Sequence, residues 1–252
     1  MSRYILPLLA LLASVSVGGR ARADEQADYV FSRAAYALGG REKLAQVRGL
    51  KLTWHDHAGM GAGRTTFLDF VKGRMRMEWW KPGLTYGWIL NPKGGWAYQN
   101  DRVRPMTAVE VREARSEFRL RGFAFYLGPV DSVEALSLED RRTGDKRDHV
   151  IKLSFSGGWV RRLIFDGESY YLRSIESGPD SAREVETLDD YRDVGDFFLA
   201  HRETRRAPGG EILEDYDLSV SQSKPVFTDA DFLPPVPLPR HRSPRHSRRE
   251  KP

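Results

Sequence analysis

From Leu50 onward, apolar side chains return at every second position, and the breaks between runs are short and made of turn-forming residues. Leu50, Leu52 and Trp54 alternate with Lys51, Thr53 and His55, and Met75, Met77 and Trp79 alternate with Arg74, Arg76 and Glu78. A period of two is the signature of a β-strand with one face in the core. The same pattern, with Tyr86, Trp88 and Leu90 on one face, continues through residues 96–99, 149–155, 159–165, 170–176, 184–191, 198–204 and 212–220. With the run holding Phe67, Leu68, Phe70 and Val71, this predicts about ten or eleven strands. The breaks carry Asn91-Pro92-Lys93-Gly94-Gly95, Asp166-Gly167, Ser177-Gly178-Pro179-Asp180 and Pro208-Gly209-Gly210. Such connections are too short for crossover helices, so sequential strands pair as antiparallel hairpins.

Two helical segments flank or interrupt the strands. Residues 25–38 carry Val30, Ala34 and Leu38 on one stripe, with Phe31 and Ala35 beside it, and Gly39-Gly40 ends them. A short second helix follows over 41–47. Midway, Thr107 and Glu110 form a capping box that opens a helix expected over 107–127, with Val111, Ala114, Phe118 and Phe125 on its apolar stripe. Its charged residues, Glu113, Glu117 and the arginines, fall largely on other faces. Two helices are thin cover for so many strands, which favours barrel closure or a cavity.

Charge and composition remove several classes of function. The chain has 252 residues, no cysteine and a formal charge of +5. The first 23 residues hold three arginines and no acid. The last 13 hold five arginines and a lysine against one glutamate, so the body between them is slightly acidic. Nucleic-acid binding by that body is disfavoured. Without cysteine there is no disulfide, thiolate metal site or lipidated cysteine. No apolar run reaches the length of a membrane-spanning helix.

The N-terminus reads as a secretion signal. Arg3 precedes an apolar stretch over 4–17, and Ala21-Arg22-Ala23 is a small-x-small cleavage site. Residues 1–23 are therefore expected to leave, giving a periplasmic or otherwise exported protein. Residues 24–235 read as one domain. Residues 236–252, rich in proline and arginine, read as a disordered basic tail; composition favours simple solvation, with contact to an anionic membrane surface as the alternative.

The order of elements resembles a known group. The stretch Ala37-Leu38-Gly39-Gly40-Arg41-Glu42-Lys43-Leu44 running into Val47-Arg48-Gly49-Leu50-Lys51-Leu52 is similar to the opening of LolA/LolB-like periplasmic proteins. Asp189-Asp190-Tyr191-Arg192-Asp193-Val194 and the ending Phe227-Thr228-Asp229-Ala230-Asp231-Phe232-Leu233-Pro234-Pro235 are similar to that group's C-terminal part. The resemblance covers residues 24–235. It implies an α+β fold, an open and strongly curved antiparallel half-barrel with helices over its concave face. It also implies a cavity that holds lipid or the acyl chain of a lipoprotein, without catalysis or cofactor.

The residues expected to line such a cavity are Trp54, Met75, Met77, Trp79, Tyr86, Trp88, Trp96 and Tyr98 on strands, and Val111, Phe118 and Phe125 on the helix, which would act as a gate. Tryptophan and methionine suit an adaptable apolar wall, but they are equally ordinary core residues. Rival readings are an envelope module with a dry core that docks a protein partner, and a metal-dependent hydrolase. The second rests on His55-Asp56-His57, whose imidazoles share one strand face; the third ligand would have to be His149 or His201, which sequence alone does not place beside them. No nucleophile elbow or phosphate loop is present. Gly-Gly-Trp at 94–96 and 157–159 fits a lipocalin spelling, but it follows hairpin turns mid-chain and reads as turn chemistry.

Overall fold

The computed structural model describes residues 17–121, 123–127, 133–143, 146–155, 159–179, 182–222 and 224–235. The expected basic tail and most of the expected signal segment lie outside them. Helix α1 (Val17–Ala37) runs through the expected cleavage site and precedes α2 (Arg41–Gln46). Six strands follow: β1 (Gly49–Asp56), β2 (Gly63–Asp69), β3 (Arg74–Lys81), β4 (Leu84–Asn91), β5 (Gly94–Gln99) and β6 (Arg102–Pro105). Helices α3 (Ala108–Arg121) and α4 (Ala124–Leu127) lead to β7 (Val133–Thr143), β8 (Lys146–Phe155), β9 (Trp159–Asp166) and β10 (Leu172–Ser177). The last strands are β11 (Glu184–Asp193), β12 (Phe198–Arg206) and β13 (Ile212–Gln222), before a 3-10 turn at Ala230–Phe232.

Among the described residues all thirteen strands form one sheet, in the order β6-β5-β4-β3-β2-β1-β13-β12-β11-β10-β9-β8-β7. Every pairing is antiparallel. The fold is α+β, and the sheet is open: two meanders, β1 to β6 and β7 to β13, join at the β1·β13 ladder. The strands beyond the expected number are β6, four residues long and half arginine, and β7, whose second half is charged; neither shows a clean apolar alternation.

This topology forces a strap. β6 and β7 are neighbours in sequence but occupy opposite edges. Laid flat, thirteen strands would put those edges about 58 Å apart. Helices α3 and α4, 14 and 4 residues long, together advance about 27 Å. The connection would span a flat sheet only with every other residue fully extended. The sheet therefore curls, and α3 lies across its concave face.

Local chemistry explains the helices. α1 buries Ala27, Val30, Phe31, Ala34 and Ala35, with Leu38 buried just beyond its end. It ends in a Schellman motif, with Gly39 N–H donating to Tyr36 O at 3.0 Å and Gly40 N–H to Ala35 O at 2.8 Å. Gly39 has φ +118°, and a Cβ there would meet Asp196 O at 3.0 Å. The capping box forms as expected: Thr107 N–H donates to Glu110 Oε2 at 2.8 Å, and Glu110 N–H to Thr107 Oγ1 at 3.3 Å. The single helix expected over 107–127 is broken, because Phe123 sits at φ +60° and turns the chain between α3 and α4.

Both faces of the sheet are covered around β1–β5. On the concave side, α1, α3 and α4 pack over Leu50, Leu52, Leu68, Met75 and Met77, and over Leu163 and Phe165 of β9. On the convex side, the C-terminal segment lays Phe227 and Phe232 over Phe67, Ile89 and Tyr98. This accounts for the strand with apolar residues on both sides: Leu68 faces the helices, and Phe67 faces Phe227.

Candidate functional site

Among the described residues, cavities lie between the concave face and the helices, and two of them adjoin. The larger, about 340 Å³, has an apolar wall of Met77, Trp79, Trp88, Ala97 and Met106, and runs under α3 toward Ile175. That volume falls within the usual range for small-ligand pockets. Trp79, Trp88 and Ala97 also border an open groove of about 710 Å³ across β3–β6, so the cavity opens toward that edge. The smaller, about 90 Å³, is mostly apolar, lined by Leu50, Leu52, Trp54, Leu172, Leu188 and Phe198 among others. Arg121, Ile175, Glu186 and Glu203 border both. They form the partition between them.

That partition is ionic. Arg64 on β2 makes a two-pronged bridge to Glu203 on β12, both bonds 2.6 Å, with side chains 2% and 1% exposed. Arg121 enters from α3, 3.1 Å from Glu186 and 3.3 Å from Glu203, and also pairs with Glu117 one helical turn earlier. Arg161 holds the other oxygen of Glu117 at 3.0 Å, and Arg205 pairs with Glu214 at 2.5 Å. The charges fix α3 to the sheet.

Three of these carboxylates are shifted by their surroundings. Burial pushes Glu203 upward, but Arg64 and Arg121 outweigh it and hold the carboxyl at about 2. Glu117 is likewise held at about 2, where Arg121 and Arg161 overcome burial. Glu186 goes the other way: burial and the like charge of Glu203 exceed the pull of Arg121, and its carboxyl rises to about 7. Seven glutamates and four arginines line the larger cavity, which therefore leans negative.

The residues expected at the site separate into several groups. Trp54 lines the smaller cavity, and Met77, Trp79 and Trp88 the larger. Met75 faces the same side but is sealed in the core at 0% exposure. Tyr86 stacks on Trp79 at 5.5 Å and lines the open groove. Val111 and Phe118 are half-buried against the concave core, Phe118 5.9 Å from the ring of Phe70. The side chain of Phe125 lies outside the described residues.

Trp96 corrects the expectation, because it faces the convex side; Tyr98 shares that face but also borders the open groove. Trp96 pairs with Ile89, and the Tyr98 hydroxyl donates to Glu78 at 2.7 Å. The histidine pair does not converge. His55 packs edge-on against Trp80, while His57 Nδ1 lies 2.6 Å from Asp217, and no cluster of three metal-ligating side chains occurs among the described residues.

Sequence reasoning missed Arg64, Glu117, Arg121, Glu186 and Glu203. The one local signal was the Glu117–Arg121 spacing on α3, which reads equally as a solvated i,i+4 pair.

No family model and no curated protein matches the chain. The structure is similar to a LolA superfamily protein from Nitrosomonas europaea, at 11% identity and a TM-score of 0.47, over 80% of this chain and 97% of that one. It is also similar to an outer membrane lipoprotein-sorting protein domain from Vibrio parahaemolyticus, at 11% identity and 0.43, over 82% and 96%. A DUF1329 family protein from Desulfovibrio piger is similar at 8% identity and 0.48, over 82% and 97%. At these values the likeness assigns neither a family nor a ligand.

Proposed function

We propose that this chain is an exported carrier that binds a lipid or the acyl chain of a lipoprotein between its curved sheet and its helices. On this reading residues 24–235 are the single folded unit, working in lipid or lipoprotein trafficking in the envelope and catalysing nothing. The observation that supports it is the pair of cavities beneath α3: a chamber with one aromatic and methionine wall that opens at one edge, and a mostly apolar one behind the ionic partition. Burying an acyl chain contributes ~0.8 kcal/mol per methylene, so a 14–16-carbon chain would contribute roughly 10 kcal/mol before ordering costs. The two cavities are small for such a chain while α3 is docked, so α3 is assigned the role of a gate that lifts as the ligand enters. No helix among the described residues is long and apolar enough to cross a membrane.

The test is native mass spectrometry of the protein purified without detergent. A discrete added mass that is lost on organic extraction is the expected result. A bare polypeptide mass that stays bare after incubation with phospholipid and fatty acid overturns the carrier reading.

A further inference from the structure

A run of buried donors on the concave face has no acceptor among the described residues. The indole N–H of Trp54, the Nε–H of Arg64, the hydroxyl of Thr66 and the indole N–H of Trp79 are buried without a hydrogen-bond partner among the described residues. They are neighbours. Trp54 pairs with Arg64, which pairs with Trp79, and Thr66 lies one pair along between Leu52 and Met77. Trp54, Arg64 and Thr66 are 3%, 2% and 0% exposed. Arg64 and Trp79 line the larger cavity, and Trp54 lines the smaller, so the row straddles the ionic partition. The Arg64 guanidinium lies over the Trp54 ring at 5.2 Å, with its two terminal nitrogens spent on Glu203. Buried donors in native proteins are nearly always paired. A row of unpaired ones is a seat for oxygen acceptors.

Charge decides which oxygen. A carboxylate or phosphate seated here would face a cavity lined by seven glutamates and four arginines. The arginines are already engaged: Arg64 by Glu203, Arg121 by Glu117, Glu186 and Glu203, Arg161 by Glu117, and Arg205 by Glu214. An anion would add like charge in a poorly solvated site. A carbonyl of an ester or amide accepts hydrogen bonds and brings no charge. We propose that the Trp54–Arg64–Trp79 row binds the neutral acyl carbonyl at the head of the ligand, with the hydrocarbon passing into the cavity lined by Leu50, Leu52 and Leu172. This rests on the carrier reading and gives it a ligand class: O-acyl or N-acyl chains rather than free fatty acids.

The experiment is displacement of Nile red from the full-length protein by four 16-carbon probes: methyl palmitate, N-methylpalmitamide, palmitate and hexadecane. The ester or the amide, or both, should bind about tenfold more tightly than hexadecane and palmitate, the factor that one or two well-placed hydrogen bonds ordinarily supply. Which of the two is tighter separates a glycerolipid-type ester from an N-acylated terminus. The Trp54→Phe/Trp79→Phe double variant should bring the ester down to the level of hexadecane. Its hexadecane affinity, measured alongside, corrects for altered packing. Equal affinity for hexadecane and the ester, tighter binding of palmitate, or an unchanged ester-to-hexadecane ratio in the double variant would overturn the carbonyl seat and leave the carrier reading intact. Failure of Nile red and of all four probes to bind would overturn both.

Discussion

Replacing Glu186 with glutamine should stabilise the protein at pH 8 and do little at pH 5. Glu186 is raised from 4.5 to about 7, first by burial and then by the like charge of Glu203. An acid whose carboxyl is raised on folding stays protonated in the native state while the unfolded chain has already released its proton. Stability is then fully present below pH 4.5, falls as pH rises toward 7, and is flat above that. A tenfold difference in proton affinity between the folded and unfolded chain corresponds to about 1.4 kcal/mol, so the whole interval takes away at most about 3 kcal/mol. Glutamine keeps the volume and cannot ionise. Arg121 retains Glu117 and Glu203 as partners. The assay is chemical denaturation of both proteins at half-unit steps from pH 5 to pH 8. The variant should gain on the native protein progressively, reaching an advantage of up to about 3 kcal/mol, or roughly 6–12 °C in Tm for a domain of this size. A difference that is constant across the range, or a variant less stable at pH 8, would refute the view that Glu186 is held ionised against its surroundings.

Three further outcomes follow from other parts of the molecule. Phe118→Asp puts a charge where an aromatic ring meets Phe70 beneath the strap; it should abolish lipid uptake while far-ultraviolet circular dichroism of the sheet is retained, and unchanged uptake would remove the gate role of α3. Glu203→Gln leaves the Arg64 charge buried and half-unpaired, so denaturation should show a loss of about 3–5 kcal/mol, most of it recovered when Arg64→Met is added. Gly39→Ala forces a Cβ onto φ +118° and to within 3.0 Å of Asp196 O; a thermal melt should register about 1–3 kcal/mol of destabilisation, with ligand binding per folded molecule unchanged.

The elements governed by neighbours in sequence were legible. The stripe of α1 and its Gly39-Gly40 stop, the Thr107/Glu110 cap and the hairpin turns each depend on residues a few positions apart. What depended on register was not. Alternation alone groups Trp96 with Trp88, but Asn91 pairs with Gly94, which leaves a two-residue turn and sets Trp96 opposite Ile89. One residue more in that turn would have put it on the concave face. The helix expected over 107–127 reads as continuous because nothing local announces Phe123 in the left-handed region; its ring is held 5.3 Å from that of Phe197, a residue from the far half of the chain. The ionic partition was invisible for the same reason. Arg64 and Glu203 are 139 positions apart, and each alone looks like a polar residue on a half-exposed strand. The C-terminal aromatics Phe227 and Phe232 stand out in the sequence only as part of a resemblance, and their covering of Phe67 and Ile89 emerges only in three dimensions.

The order of the sheet also bears on how the chain reaches it. Of the twelve ladders among the described residues, eleven join strands consecutive in sequence, and one, β1·β13, does not. Hairpin ladders close short loops quickly, whereas that single seam must close a loop of more than 150 residues. Synthesis delivers β1 through β6 complete while their partner seam is still unmade, so β1 waits as an unpaired edge until the last strand arrives. Assembly of this protein should then show a fast phase in two independent meanders and a slow phase at one seam. The C-terminal aromatics, which follow β13 directly, fasten the convex face only once that seam has closed.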